Sequence, residues 1–311
     1  MAYQIEDKFV VAVASSALFD LSESDSVFRE KGEDEYRKYQ RENEKKILEK
    51  GVAFPLIRRL LSINGDTSDD QPIEVILLSR NDPDTGSRVF QSIEHYKLPI
   101  TRAAFVTGKS PYNYMDAFGA SLFLSGNIKD VQQAVELGLP AGCVYPSSLV
   151  DEVEDEELRI AFDFDGIIAD DSAEMIYQFG KLEMYHKHEK QKAGEALPPG
   201  PLSKFFMEIS KLQKIEVEKQ KKKKEYKPRI RIAIVTARNA PAHQRVISTL
   251  RELNIMVDEA FFLGGIDKSR VLEIFKPHIF FDDQVGHIKT VSKIAPSVHV
   301  PFGIANKIDK G

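Results

Sequence analysis

Two pairs of aspartates carry the first chemical signal in this sequence. Asp163 and Asp165 close the run L-R-I-A-F-D-F-D-G, and Asp282 and Asp283 close the run I-F-F-D-D. Each pair follows an apolar segment of strand composition, and open parallel sheets bind ligands at the carboxyl ends of their strands. Carboxylates brought together repel unless a cation or a proton stands between them. Magnesium, which takes hard oxygen ligands, is the cation this set favours. It lets one carboxylate attack phosphorus while the other handles the proton. Thr236, which ends I-A-I-V-T, offers a hydroxyl to a phosphoryl oxygen, and Lys268, which opens a helical segment, offers a positive charge. Together these residues supply a nucleophile, an acid/base, a donor, a cation and metal ligands, the parts of a magnesium-dependent phosphoryl transfer.

Such a site needs strands that end together. Strand candidates lie at 9–14, 73–78, 103–106, 121–124, 158–162, 230–235, 260–262, 278–281 and 298–300. Helical spans fall between them, among them 26–49, 241–253 and 268–275. Short buried strands alternating with amphipathic helices predict an α/β fold, a parallel Rossmann-like sheet covered by helices on both faces. The acidic run 151–157 separates two halves, a first domain at 1–150 and a catalytic domain at 151–311. An insertion at 172–228 holds amphipathic segments at 172–188 and 202–218, split by L-P-P-G-P, and reads as a small helical cap or an outer helical layer.

The second half repeats the first in letters as well as rhythm. L-S-R-N-D-P at 78–83 stands beside T-A-R-N-A-P at 236–241, and F-V-T-G-K-S at 105–110 beside G-G-I-D-K-S at 264–269. L-F-L-S-G at 122–126 stands beside I-F-F-D-D at 279–283, and 11–20 beside 161–170. Four blocks in one order point to an internal duplication. Where the second half has Asp163, Asp165, Asp282 and Asp283, this alignment gives the first half Val13, Ser15, Ser125 and Gly126. The first copy is then degenerate, without the anionic oxygens a magnesium ion needs, and is expected to support the fold or contact substrate.

Composition narrows the field. The 311 residues carry a formal charge of −5, with 42% hydrophobic and 29% charged residues. That balance excludes a protein built to coat nucleic acid, and the basic run 219–224 reads as an exposed helix end. One cysteine, Cys143, excludes a disulfide framework. The seven histidines form no H-E-x-x-H array, which disfavours zinc. The start has no signal-peptide pattern, and no apolar run reaches the roughly 18 residues of a membrane span. The expected compartment is the cytoplasm, with no nucleic acid polymer or membrane as partner. A homo-oligomer is compatible with the sequence, although no coiled-coil heptad dominates it.

The ordered set D-F-D-G, T-A-R, Lys268 and F-D-D resembles the four motifs of the haloacid dehalogenase-like phosphohydrolase superfamily over about 158–286. The resemblance implies that Asp163 forms an aspartyl-phosphate, that Asp165 protonates the leaving oxygen and then activates water, and that Thr236 and Lys268 hold the phosphoryl oxygens. It also implies magnesium ligation by Asp163, the carbonyl of Asp165 and Asp282, with Asp283 in support. Nearly the whole chain further resembles the cytosolic 5'-nucleotidase type I family, through A-S-S-A-L-F-D at 14–20, F-D-F-D-G-I-I-A-D-D-S-A-E at 162–174 and V-T-A-R-N-A-P at 235–241. D-E-A-F-F-L-G-G at 258–265, K-P-H-I-F-F-D-D-Q at 276–284 and H-V-P-F-G-I-A at 299–305 extend the likeness. It implies hydrolysis of nucleoside 5'-monophosphates, AMP and related ribo- or deoxyribonucleotides.

Candidates for substrate contact are Ser15, Ser16, Asp20, Arg80 and Asn81 in the first half and Arg238 and Asn239 in the second. Ordinary turn hydrogen bonds or ion pairs would account for them equally well. Lys109 follows too short a glycine segment for a triphosphate-binding loop. Two further functions fit the same residues, a phosphatase or phosphotransferase acting on another small phosphate ester and a non-catalytic nucleotide sensor.

Overall fold

The computed structural model describes residues 3–65, 71–147, 149–173, 176 and 182–306. The chain divides into two compact units, Met1–Ala134 and Val135–Gly311. In the first, β1 (Phe9–Val13), β2 (Ile73–Ser79), β3 (Arg102–Phe105) and β4 (Leu122–Ser125) run parallel in the order β3-β2-β1-β4. Every residue of β1, β2 and β4 is buried, which is why these strands read as unbroken apolar runs. Helices α1 (Ser15–Leu18), α2 (Ser22–Lys31), α3 (Glu33–Glu42), α4 (Phe54–Ser62) and α5 (Ser87–His95) connect them, and α6 (Ile128–Glu136) leads onward. The single charged helix expected over 26–49 is two helices. Gly32, at φ 84°, ends α2, and its carbonyl accepts from Tyr36 N at 3.1 Å to begin α3.

The second unit contains β5 (Ala141–Tyr145), β6 (Leu158–Phe162), β7 (Ile230–Thr236), β8 (Glu259–Phe262), β9 (Ile279–Asp282) and β10 (Ser297–His299) in the order β5-β10-β9-β6-β7-β8. All neighbours are parallel except β5 with β10. Strand β5 was not foreseen, because A-G-C-V-Y is short and contains glycine, and only its pairing with β10 defines it. The helices are α7 (Leu182–Gln191), α8 (Ser203–Lys222), α9 (His243–Glu252), α10 (Ser269–Phe275) and α11 (Val285–Val291). Most of 174–181, within the first amphipathic segment of the expected insertion, lies outside the described residues.

Alternation along β6 buries both faces of this sheet. Ala161 joins Ala233, Phe280, Leu272 and Ile288 in a core beneath α10 and α11. Phe162 turns to the other face, stacks on Phe281 at 5.1 Å between ring centroids and meets Phe206 of α8 edge-on at 4.6 Å. Each such ring contributes about 1.5–3 kcal/mol by burial, so the strand that ends in the aspartates is fixed from two sides.

Within each unit, taken by itself, the same hydrogen bonds recur. Asn81 N donates to Ser79 Oγ at 3.2 Å, and Arg238 N to Thr236 Oγ1 at 3.1 Å. Val106 N donates to Ser79 O and Leu263 N to Thr236 O, then Thr107 N to Asn81 O and Gly264 N to Arg238 O. Lys109 N donates to Val106 O and Ile266 N to Leu263 O. The bonding therefore sets Asn81 against Arg238 and Lys109 against Ile266, each displaced from the partner that matching letters suggested. Ala14, not Val13, answers to Asp163, since Ala14 N donates to Leu124 O and Asp163 N to Phe281 O, each at 2.8 Å. Ser125 does answer to Asp282, accepting from Asn127 N as Asp282 Oδ1 accepts from Gln284 N. Backbone bonding reports position in the fold, whereas two identical letters one or two residues apart do not.

Candidate active site

The parallel ladder fixes which side chains meet. Asp163 lies one residue beyond β6 and continues its ladder through the bond to Phe281 O. Its side chain folds back, Oδ1 accepting from Phe164 N at 2.7 Å. Asp282 ends the neighbouring β9, and Lys268 stands immediately before α10. Lys268 Nζ reaches Asp163 Oδ2 and Asp282 Oδ2 at 2.7 Å each, and all three residues are buried. His287 of α11 brings Nδ1 to 3.1 Å from Asp282 Oδ2.

Burial pushes the Asp163 carboxyl up to about 7, with Asp282 and Asp165 adding repulsion and Lys268 opposing. Burial acts to raise Asp282 as well, but Lys268 and His287 outweigh it and hold that carboxyl below its usual range. Burial disfavours the Lys268 ammonium, yet the two carboxylates raise it well above the ordinary lysine value. The group is a cation-seeking pair of carboxylates spanned by one ammonium.

Asp163, Asp282 and His287 place one ligand atom each within 4.8 Å of one another. Two carboxylates at strand ends suit a hard divalent cation, and an adjoining imidazole is tolerated by several. The residues present therefore fit a metal. Asp283, the fourth expected ligand, is buried beside Gly166, where an added Cβ would lie 2.6 Å from Asp283 Oδ2. Gly166 has φ 72°, so the turn after Asp165 needs glycine for its backbone and for the space it leaves. The side chain of Asp165 is held elsewhere, by Arg238, whose Nε and Nη2 donate to Oδ2 and Oδ1 at 2.7 Å each.

Thr236 ends β7 beside β6 and is buried, its hydroxyl accepting from Arg238 N. Arg238 is buried between Asp165 and Glu189, while the exposed Asn239 lies with Oδ1 3.3 Å from His186 Nε2. In the first unit, Ser15 Oγ shares a hydrogen with Ser79 Oγ at 2.9 Å, Ser16 Oγ accepts from Gly126 N at 3.1 Å, and Asp20 Oδ1 accepts from Ser22 N at 2.8 Å. Arg80 pairs with Asp130 through both of its carboxylate oxygens. Arg80 and Asn81 line a cavity of about 450 Å³ with Phe28, Tyr36 and Thr107. Phe19, Tyr112 and Phe164 are core residues.

Sequence gives no sign of Glu189 or Arg245 as site residues, and His287, beside the last acidic block, reads there as core support or a surface residue. Glu189 lies in the charged run H-K-H-E-K-Q-K, where no spacing singles it out, and His287 has no metal-binding spacing. His278, the other histidine near the last acidic block, serves the scaffold, Nδ1 accepting from Arg159 N at 3.0 Å. Among the described residues no helix is long and apolar enough to cross a membrane.

A mostly parallel sheet with Asp163, Lys268 and Asp282 gathered at its strand ends defines the haloacid dehalogenase-like α/β class. The sequence model of the 5'-nucleotidase family matches residues 1–307, and the chain belongs to that family. It is similar to human cytosolic 5'-nucleotidase 1B, with 30% identity over 295 residues that take in 93% of this chain and 48% of the human protein. The chain thus spans about half the length of that curated relative. Histidinol dehydrogenase from Elizabethkingia anophelis aligns with a TM-score of 0.22 and 8% identity over 100% of this chain and 87% of its own, a likeness that carries no argument.

Proposed function

We propose that this chain hydrolyses nucleoside 5'-monophosphates to nucleoside and phosphate, with Asp163 as nucleophile. The observation that carries the reading is the buried Asp163–Lys268–Asp282 cluster at the strand ends of a chain in the 5'-nucleotidase family. An Asp163 oxygen forms a bond to phosphorus while the bond to the nucleoside 5'-oxygen breaks, and Asp165 gives that oxygen its proton. Asp165 then takes a proton from water as the water oxygen bonds to phosphorus and the acyl phosphate opens, regenerating Asp163 and releasing phosphate. Lys268 and Thr236 are assigned to the phosphoryl oxygens, where fixed charge and donors act most strongly.

Magnesium is the proposed cofactor, and when bound it supplies positive charge to the phosphoryl group. Asp163, the carbonyl of Asp165 and Asp282 would hold it, supported by Asp283 and with His287 alongside. Arg238 and Asn239 are assigned near the substrate. In the first unit, Arg80 and Asn81 are the candidates that line a cavity, and we assign them to nucleoside contact, with Ser15, Ser16 and Asp20 in support. The recurrent hydrogen bonding supports descent of the two units from one ancestor. The reading places the protein in the cytoplasm, acting on free nucleotides without a nucleic acid polymer or membrane as partner.

The test is phosphate release from a panel of ribo- and deoxyribonucleoside monophosphates and sugar phosphates, with magnesium or chelator, for this chain and Asp163→Asn. Magnesium-dependent turnover of nucleotides, absent in the variant, is expected. Preference for sugar phosphates would redirect the reading to another phosphate ester, and no release from any substrate would leave a sensor.

A further inference from the structure

Behind Asp165 runs a chain of alternating charge that ends on the insertion. Arg238 spans both oxygens of Asp165 with Nε and Nη2, and its remaining Nη1 donates to Glu189 Oε2. Glu189 Oε1 in turn accepts from Arg245 Nη1 at 2.9 Å. Glu189 is 0% exposed on α7, and Arg238 and Arg245 are also buried. The rings of Phe164 and Tyr185 flank the Arg238 guanidinium at 5.4 and 6.0 Å. Burial works to raise the Glu189 carboxyl, but Arg238 and Arg245 outweigh it and keep the group ionised.

The first unit supplies an internal control for what this position requires structurally. There Arg88 Nη1 donates to Gln40 Oε1 at 3.2 Å while Arg88 Nε donates to Lys46 O at 2.8 Å. Arg245 repeats this in the second unit, with Nε donating to Glu195 O at 3.0 Å. Leu48 N donates to Ser92 Oγ and Leu197 N to Thr249 Oγ1, so the surrounding frame matches too. Gln40, 3% exposed, thus does with a neutral amide what Glu189 does toward Arg245. The first unit also has Asn81 where the second has Arg238. The two charges occur together, and only in the unit that holds the aspartates. Taking an ion out of water costs several kcal/mol, and Gln40 shows that the frame closes without a carboxylate.

We propose that Glu189 is a positioning residue for the reaction: it fixes the Arg238 guanidinium so that Asp165 presents its carboxyl to the leaving oxygen. The inference rests on the reading of Asp165 as acid/base. It makes the seating of α7 a condition for proton transfer, because Glu189 is the link that runs from that helix through Arg238 to Asp165. Glu189→Gln keeps an acceptor for Arg245 while removing the charge that holds Arg238.

The experiment compares two leaving groups. A nucleoside alkoxide needs a proton to depart, whereas p-nitrophenolate does not, so a misplaced Asp165 lowers kcat/KM, which reports the steps up to departure, only for the nucleotide, while the later water step is common to both substrates. General acid catalysis contributes about 10²–10⁴-fold, and a misoriented acid should forfeit at least about tenfold of it. Glu189→Gln is therefore expected to lower kcat/KM for a nucleoside monophosphate by about tenfold or more, with kcat/KM for p-nitrophenyl phosphate within about threefold. Equal losses of kcat/KM on both substrates, or no loss on either, would overturn the proposal. A variant that fails to fold would do so too, since the carboxylate would then be structural. Asp165→Asn, run in parallel, separates this from the underlying reading: full nucleotide turnover in that variant means that Asp165 is not the acid, whatever Glu189 does.

Discussion

Replacing Lys268 by methionine removes one charge from a buried ion cluster of the second unit. The ammonium reaches Asp163 and Asp282 at 2.7 Å each, and all three groups are buried. Methionine fills similar space but leaves two carboxylates facing each other without the cation between them. Removing one partner of a buried pair costs about 3–5 kcal/mol, which corresponds to a fall in melting temperature of roughly 10 °C. The loss should depend on pH. Without the ammonium both carboxyls titrate higher than before, so at pH 5 a proton relieves their repulsion, and that relief is lost progressively as the pH rises. Thermal unfolding of Lys268→Met and the parent chain at pH 5 and pH 8, without and with magnesium, measures this. The deficit should be largest at pH 8 in chelator and shrink when magnesium is added, while phosphate release stays at least about 10²-fold down. A deficit that is the same at both pH values and insensitive to magnesium would refute the electrostatic account and leave only a packing defect.

Magnesium should raise the melting temperature of the parent chain more at pH 8 than at pH 5. The Asp163 carboxyl, pushed up to about 7 by burial, holds its proton below that value and must release it to ligate; an effect equal at the two pH values would place the ion elsewhere. Gly166→Ala should destabilise the chain by about 1–3 kcal/mol and reduce turnover, because φ 72° disfavours a side chain and the new Cβ would lie 2.6 Å from Asp283 Oδ2. Denaturant unfolding with a parallel activity assay checks it, and an unchanged midpoint would mean that the turn relaxes without moving Asp283.

Much of this molecule is legible in its letters because the relevant forces are local or periodic. The apolar runs that became β1, β6 and β7 are buried along nearly their whole length, so composition alone separates them from the amphipathic helices. Asp163 and Asp282 stand out as candidates because each closes an apolar strand run, and Lys268 because it completes an ordered set with them. The start of β8 and the strand β5 were harder, since their propensities are weak and neighbouring strands define them. The four ordered motifs made the family recognisable from sequence alone.

Other features depend on distances that no spacing encodes. Letters aligned Arg80 with Arg238, whereas backbone bonding aligns Asn81 with it. Only the fold brings Glu189, some fifty positions away along the chain, against Arg238, and only there does a charge in a hydrophilic run become a buried one. His287 likewise reaches Asp282 because α11 begins directly beyond β9 and turns the ring back toward the strand end. Sequence by itself determined most of the strands and marked the residues proposed to carry the chemistry, because burial periodicity and residue type are local properties. Tertiary structure decided the contacts that orient them, because hydrogen bonds and ion pairs depend on where side chains meet in space.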